Sequence, residues 1–275
     1  MSILIIIILC LIALFVALSA AHDYGIFTTL PQIDPNPNVP KLVHLIFLPW
    51  NSEQRLLEDP LEFDWSPYYR LAEQLPDWKV IMWTLPRLHE FSEKHYPGIW
   101  DRAWSSASRP TQIVDLYRWI VVHHHGGVYF QYNSKLNVDP EMLLPSKGKN
   151  VRLFTEFVWF SPLLRHLPAW RFPIRQGQPE ERTRAMNQIF SAAPKHPYIQ
   201  LTWQSILNRM EAMKPKCDYD ILFIGANAFV SELYEKEGQN RSDVEMLNFW
   251  QTRRMVQVSS KGSWRTDRII NKTVI

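Results

Sequence analysis

Residues 115–133 read Asp-Leu-Tyr-Arg-Trp-Ile-Val-Val-His-His-His-Gly-Gly-Val-Tyr-Phe-Gln-Tyr-Asn, and this stretch indicates the fold of the chain. Its first part belongs to a helical pattern over residues 111–125. Asp115 and Arg118 are three residues apart, so they lie on one face of that helix and can reach the same pocket. The same spacing also suits an ordinary ion pair on a helix surface.

A pair of glycines and a short strand complete the stretch. Gly126 and Gly127 predict a tight turn from helix to strand, where a positive φ or a close backbone approach is needed. Residues 128–132 predict a buried strand, and Gln131 and Asn133 point the same way because side chains alternate along a strand. Ligands of open α/β sheets bind beyond the carboxyl ends of the strands. The two amide side chains therefore mark a candidate binding site, with ordinary polar residues at a strand end as the alternative.

Strand and helix patterns alternate along the rest of the chain. Predicted strands cover residues 41–47, 78–83, 151–160, 221–224 and 254–258. Predicted helices cover residues 67–75, 89–104 with a break at Pro97-Gly98, 183–193, 197–213 and 228–236. This alternation predicts an α/β fold with a mostly parallel sheet and helices on both faces. With 275 residues in all, the chain has room for one such domain, over residues 41–275.

The chain begins with an uninterrupted apolar run over residues 3–21. About 20 helical residues span the hydrocarbon core of a bilayer, which predicts a membrane anchor over residues 1–21. Small residues near the end of the run also suit a cleavable signal peptide. Either segment would direct the domain into the secretory pathway. The proline-rich residues 22–40 predict a stem between this segment and the domain.

Composition limits the classes of function. Hydrophobic residues make up 46% of the chain, which supports a sizeable core and excludes a disordered protein. The net charge of +3 is too small, and the basic residues too dispersed, for a nucleic-acid-binding surface. Cys10 lies in the apolar run and Cys217 stands alone in the domain, so the domain has no pair for a disulfide. Glycosylation sequons at Asn240 and Asn271 agree with a lumenal domain.

The pattern in residues 115–133 resembles the core of the sugar-nucleotide glycosyltransferases with an Asp-x-Asp motif, glycosyltransferase family 32. In that family Ser-Asp-x-x-Arg-Tyr is followed by apolar residues, Gly-Gly-x-Tyr and Asp-x-Asp. Residues 41–47 resemble its opening strand, and residues 262–264 its later Gly-Ser-Trp. The resemblance implies a GT-A type, Rossmann-like fold and retaining transfer of a sugar from GDP-mannose or a UDP-sugar. The implied acceptor is a glycan, a lipid or a small molecule, and the implied location is the Golgi or endoplasmic reticulum membrane in type II orientation. Secretion after signal cleavage is the alternative.

Several site residues carry over by the same resemblance. Asp115 would bind a hydroxyl of the transferred sugar, Arg118 would contact sugar or phosphate, and Phe47 would stack on the base of the donor. Trp50 could take the place of Phe47. The implied donor-binding set is completed by Gly126, Gly127, Ser263 and Trp264.

The chain departs from the family at its metal ligands. Gln131 and Asn133 stand where the family has the two aspartates that hold Mn²⁺ or Mg²⁺, and hard cations prefer anionic oxygen. Ser259-Ser260 stands where relatives often have a further histidine ligand. Metal binding at Gln131 and Asn133 is therefore expected to be weak or absent. The charge of the leaving group would fall to basic and polar donors, namely Arg118, Ser263, Trp264, Lys261 and Arg265.

Two hypotheses on function follow. The first is a secretory-pathway hexosyltransferase with weak or no metal dependence. The second is a catalytically inactive glycosyltransferase-like protein, or a nucleotide-sugar-binding module. A membrane-anchored hydrolase finds no supporting motif.

Other conspicuous side chains receive structural interpretations. His44 is expected to be a buried imidazole with satisfied nitrogens, and Tyr129 a core residue. The three histidines of residues 123–125 point in directions about 100° apart on a helix, so they cannot form one metal site alone. Their position at a helix C-terminus favours an interaction with the helix dipole. Asn187 and His196 resemble a packing signature of the family, with contact to the acceptor as a further role.

Overall fold

The computed structural model describes residues 3–23, 29–31, 34–47, 65–132, 134–158, 183–215 and 218–258. In chain order the helices are α1 (Ile3–Asp23), α2 (Ser66–Gln74), α3 (Leu85–His95), α4 (Ile99–Ser106), α5 (Pro110–His125), α6 (Pro197–Ala212), α7 (Asp218–Ile224), α8 (Asn227–Leu233) and α9 (Phe249–Met255). The strands are β1 (Leu42–Ile46), β2 (Lys79–Trp83), β3 (Gly127–Phe130), β4 (Lys135–Leu136), β5 (Val151–Val158), β6 (Thr183–Ala192), β7 (Val244–Leu247) and β8 (Val256–Gln257). A 3-10 helix (Pro140–Leu143) and a π-helical turn (Tyr234–Gly238) complete the elements.

The central sheet has six strands in the order β2-β1-β3-β6-β5-β7. β1 pairs in parallel with β2 and β3, and β5 pairs in parallel with β7. β6 lies antiparallel between β3 and β5. The sheet is therefore mostly parallel, as predicted, and the carboxyl ends of five strands meet at one edge.

Two apolar cores, one on each face, enclose the sheet. Alternation along β1 sends Val43 and Leu45 into one core and Ile46 into the other. The larger core packs α3, α4, α5, α6 and α8 against the sheet. The smaller core packs α2, the 3-10 helix and α9 against the opposite face. Helices cover both faces, so the predicted α/β class is confirmed.

Helix α5 is buried along almost its whole length, and a turn of two glycines ends it. Pro110 starts the helix at a position where no intrahelical N–H bond is lost. Gly126 and Gly127 follow with φ of 70° and 91°. A Cβ on Gly127 would overlap the Leu42 carbonyl oxygen, and one on Gly126 would lie 2.7 Å from Pro194 Cδ. Both parts of the prediction for this turn, positive φ and close backbone approach, are confirmed.

The structure corrects three predicted elements. Residues 183–193 were expected to be helical but form β6, the antiparallel strand at the middle of the sheet. Residues 221–224 were expected to form a strand but belong to α7. Of the last predicted strand, residues 254–258, only β8 is extended, because α9 continues to Met255.

Helix α1 covers the apolar run at the start of the chain. Among the described residues, no helix combines the length and the apolar character that crossing a membrane requires.

Candidate functional site

The candidate site lies at the carboxyl end of β3, where the strand leaves the sheet. The Gln131 N–H donates to the Gln188 carbonyl at 2.9 Å, which extends the pairing with β6 by one residue. The Ser134 N–H then donates back to the Gln131 carbonyl at 2.9 Å and closes a turn. Asn133, the second predicted amide, lies outside the described residues, as do Trp50, Ser259 to Arg265 and Asn271.

A buried ion pair lies on the face of α5 beside this strand. Arg118 Nη2 is 2.7 Å from Asp115 Oδ1, and both residues are only about 5–6% exposed. The Asn187 side-chain amide donates to the same Asp115 oxygen at 3.1 Å, while Arg118 Nη1 donates to the Asn187 backbone carbonyl at 2.6 Å. The pair predicted from the sequence is thus a closed network of three residues in the core, not a surface contact.

Burial and charge act in opposite directions on Asp115. Burial raises the pKa of this carboxyl to about 6, although Arg118 and the Asn187 amide favour its ionised form. The Arg118 guanidinium also lies 4.9 Å from the centre of the Tyr129 ring, which is buried as predicted. A cation and a carboxylate are therefore held in fixed positions next to the strand end.

An irregularity in β6 places Asn187 in this network. Between the pairs Leu153–Phe190 and Thr155–Ala185, β5 advances by two residues and β6 by five. The extra residues bulge out of the ladder, and bulges re-aim side chains next to functional sites. The sequence predicted a packing role for Asn187, with contact to the acceptor as a further role, and the structure shows that Asn187 contacts Asp115 and Arg118.

Two buried polar atoms flank Gln131. Gln188 Oε1 and Ser134 Oγ are inaccessible and have no hydrogen-bond partner among the described residues. Buried polar atoms are nearly always hydrogen-bonded in folded proteins.

Phe47 is brought to the same edge of the sheet. Its N–H donates to the Trp83 carbonyl at the end of β2, and its ring lies edge-on to Tyr132 at 5.4 Å between centroids. Tyr132 directly follows Gln131. Phe47, which is predicted to stack on the donor base, therefore lies close to the strand end that is predicted to face the donor phosphates.

Gly126 and Gly127 lie at the other end of β3. Gly127 is four residue steps along the chain from Gln131, a distance of roughly 13 Å at about 3.3 Å per residue. Their tight contacts with Pro40, Pro194 and Leu42 account for glycine at both positions. The structure does not bring these two glycines together with the other predicted donor-binding residues.

The histidines also lie away from the carboxyl edge. His44 Nε2 faces the Gly126 carbonyl at 2.9 Å and its Nδ1 accepts from the Trp83 indole, and burial lowers its pKa to about 3. Both of its nitrogens are satisfied, as predicted. Burial and the Lys195 ammonium lower the pKa of His123 and of His124 to about 4. These histidines are neutral near pH 7, so the expected interaction of a cation with the helix dipole does not account for them.

The described residues at the strand end do not fit a hard divalent cation. Gln131 offers a neutral carbonyl oxygen, and the nearby Asp115 is already engaged by Arg118 and Asn187. Within the described part of the chain, no three His, Cys, Asp or Glu side chains come together as a metal site. Mn²⁺ and Mg²⁺ prefer several anionic oxygens, which this donor set does not supply.

A second polar group lies at the same edge, and the sequence did not single out its acid. The Asn227 side-chain amide, at the start of α8, donates a short hydrogen bond to Glu156 Oε2 near the end of β5. Burial raises the pKa of Glu156, while Asn227, Arg184 and Arg253 favour its charged form. Glu156 is the one acid in a predicted strand of mostly aliphatic, β-branched and aromatic residues, and this was the available signal.

Comparison with known proteins gives a limited set of similarities. No protein-family model matches the chain. Over 119 residues, 42% of its length, the chain is 26% identical to the mannosyl phosphorylinositol ceramide synthase SUR1 of Saccharomyces cerevisiae. The chain spans 29% of the length of that relative. A solved structure titled PaToxG glycosyltransferase is similar over 84% of this chain and 77% of its own, with a TM-score of 0.42 and 14% identity. The sequence similarity to the yeast synthase is therefore distant and covers less than half of the chain.

Proposed function

We propose that the protein is a glycosyltransferase that binds a nucleotide-sugar donor, GDP-mannose or a UDP-sugar, along the carboxyl edge of its sheet. The observation that carries this proposal is the buried Asp115–Arg118–Asn187 network beside the end of β3. The distant sequence similarity to a mannosyl phosphorylinositol ceramide synthase supports the same class of reaction. A GT-A type fold agrees with the sheet order and with the antiparallel strand β6.

Each component of the site has a part in the proposed reaction. Phe47 stacks on the donor base, and Arg118 provides positive charge beside the diphosphate. Asp115 accepts a hydrogen bond from a hydroxyl of the transferred sugar. In a retaining transfer, the bond from the anomeric carbon to the phosphate oxygen breaks as the acceptor oxygen bonds on the same face. The acceptor proton then passes to the leaving diphosphate. Catalysis consists of positioning and charge stabilisation, because no enzyme nucleophile is required.

The proposed reaction has weak or no dependence on a metal ion. Gln131 cannot replace an aspartate as a ligand for Mn²⁺ or Mg²⁺. The charge of the leaving diphosphate is then balanced by Arg118, together with Ser263, Trp264, Lys261 and Arg265 of the C-terminal segment by resemblance.

The test of the proposal is calorimetric titration of the purified protein with GDP-mannose and UDP-glucose, with and without Mn²⁺. We expect saturable binding of one donor, with a dissociation constant that Mn²⁺ changes by less than threefold. Arg118→Lys should weaken binding at least tenfold because lysine cannot reproduce the fork of hydrogen bonds. Arg102→Lys, in an exposed ion pair with Glu211, is the matched control and should bind like the wild type. A wild type that binds neither donor would contradict the proposal.

A donor-binding protein without transfer activity is the second candidate. The neutral amide at Gln131 favours this candidate, because it replaces an anionic ligand of the metal ion that would hold the donor diphosphate during transfer. Release of free GDP or UDP from a bound donor, measured over hours with an excess of hydroxyl acceptors, separates the two. Binding without release in any acceptor mixture would support the second candidate.

We also propose that the domain acts in the secretory pathway, in the Golgi or endoplasmic reticulum or after secretion. Asn240, in one of the two sequons, is exposed on the turn that follows the π-helical turn and is accessible to glycosylation. The acceptor, whether glycan, lipid or small molecule, would reach the carboxyl edge from the lumenal side.

A further inference from the structure

The polar group around Glu156 and Asn227 has no role in the donor site described above. Glu156 lies near the carboxyl end of β5 and is half-buried. Its Oε2 is bound by the Asn227 amide. Among the described residues no hydrogen bond to its second oxygen, Oε1, is formed, and the residue as a whole is partly exposed. A carboxylate held by one oxygen with the other open is arranged to accept hydrogen bonds from a ligand.

The order of the strands fixes where this carboxylate lies relative to the donor. The strands β1, β3, β6 and β5 are consecutive neighbours in the sheet. Phe47 follows β1 and Gln131 follows β3. The Asn187 bulge belongs to β6, and Glu156 belongs to β5. Strands are spaced about 4.8 Å apart, so Glu156 is roughly 10 Å along the edge from Gln131. A donor with its base at Phe47 and its diphosphate at Gln131 directs its sugar toward the Asn187 bulge. The next position along the edge is that of Glu156.

The surroundings of Glu156 favour a neutral, hydroxyl-rich ligand over a charged one. Arg184, which is buried, and Arg253 favour the charged form of the carboxylate. These two cations offset part of the effect of burial, which raises the pKa of Glu156. Hydroxyl groups donate strong hydrogen bonds to a carboxylate.

We infer that Glu156, held by Asn227, binds hydroxyl groups of the acceptor, a sugar or cyclic polyol, on the far side of the donor sugar. This inference rests on the proposed function, because it places the acceptor next to the donor. It assigns a binding role, and no proton transfer, to Glu156.

The experiment measures acceptor and donor binding separately on the full chain. Saturation-transfer NMR with methyl α-D-mannopyranoside and with myo-inositol, without donor, reports hydroxyl-rich probes at the acceptor side. Titration with GDP-mannose and UDP-glucose reports the donor side. We expect the wild type to bind at least one probe, and Glu156→Gln to lose that signal at least tenfold. Glu156→Gln keeps an oxygen for Asn227, so its melting temperature and its donor affinity should stay close to those of the wild type.

Two further variants keep the test decisive. Glu156→Asp retains the charge but draws the carboxylate back by one methylene, and should weaken probe binding while the protein remains folded. Glu141→Gln, which removes an exposed acid paired with Lys41, is the matched control and should bind the probe normally. Probe binding that is unchanged in both Glu156 variants, or absent in the wild type, would overturn the inference. Loss of probe and donor binding together in Glu156→Gln would place Glu156 in the donor site and also overturn it. A wild type that binds a probe through Glu156 but no donor would contradict only the proposed function.

Discussion

At the scale of single residues, the ion pair of Asp115 and Arg118 combines a role in stability with its proposed role in binding. Two charges only about 5–6% exposed are tolerated because each completes the other's hydrogen bonds through Asn187. A buried pair of this kind contributes little net stability compared with apolar residues, but it is expensive to break. Substitutions in this ion pair therefore need a measurement of stability beside any measurement of donor binding.

Removal of Arg118 should destabilise the fold as well as abolish transfer. Arg118→Ala leaves a buried carboxylate without its cation, which should lower the free energy of unfolding by about 3–5 kcal/mol. His124→Ala removes a partly exposed imidazole and should cost less than about 1 kcal/mol. Urea denaturation of the two variants measures both values, and equal losses would contradict the assigned difference in burial.

Gly127 provides a second prediction at this scale. Gly127→Ala places a methyl group against the Leu42 carbonyl oxygen at a φ of 91° and should cost on the order of 4 kcal/mol or more. Gly148 has a similar φ of 82° but open space around its Cα. Gly148→Ala should therefore show the cost of the backbone conformation alone, about 1–2 kcal/mol. Thermal denaturation of both variants separates the cost of the contact with Leu42 from the cost of the backbone conformation. Similar melting temperatures would show that the backbone at Leu42 moves to make room for the methyl group.

At the scale of elements, the sequence predicted best where an element's own pattern matched its surroundings. The helix–Gly-Gly–strand stretch was correct because two conformations with positive φ and a short buried strand leave few alternatives. Strand β6 was missed because residues such as Arg184, Met186 and Gln188 favour a helix locally, while pairing with β3 and β5 overrides that preference. The contact between Asn187 and Asp115 could not be predicted for the same reason, since it depends on a bulge in that strand.

The end of α5 predicts how stability depends on pH. The folded-state pKa values of His44, His123 and His124 lie well below 6.5, so the unfolded chain binds more protons as the pH falls. Stability that is present above about pH 6.5 should be lost progressively toward pH 4. Asp115 acts in the opposite sense, because its raised pKa contributes stability below 3.8 that is lost as the pH rises through about 6.

The histidines outnumber Asp115, so the net effect from pH 7.5 to pH 5 should be a loss on the order of 3 kcal/mol, after the partly exposed His123 and His124 are discounted for solvent screening. Urea midpoints across this range measure it. His44→Gln should remove about 2 kcal/mol of the acid-induced loss, since the buried His44 no longer needs to stay neutral. A variant with the pH dependence of the wild type would contradict the role of His44.

At the scale of the whole molecule, the site is assembled from elements far apart in the chain. Phe47 follows β1, Gln131 follows β3, and Asp115 and Glu156 lie on α5 and β5. The predicted parallel order of strands accounts for the position of Phe47 and Gln131 at one edge of the sheet. The position of Glu156 could not be predicted, because it requires the insertion of β6 between β3 and β5. The net charge of +3 suits a site that balances an anionic donor with protein cations.

Restoring acidic ligands should change this charge balance. Gln131→Asp combined with Asn133→Asp supplies two carboxylates at the end of β3, and should raise Mn²⁺ affinity at least tenfold in a calorimetric titration. The exposed pair Gln239→Asp with Asn240→Asp adds the same charge elsewhere and serves as the control. An equal gain in both would indicate general attraction of cations, and no gain in the first would show that the strand end does not face the donor.

The antiparallel strand at the centre of the sheet also constrains how the protein is made. β3 and β5 are complete once residue 158 has been synthesised, but the strand that joins them ends at residue 192. Until then the nascent chain holds the three strands β2, β1 and β3 and the single strand β5, each with an unpaired edge that favours association with other chains. Productive folding must therefore wait for residues 183–192 to leave the ribosome, and a ribosomal pause before that point would prolong the aggregation-prone stage.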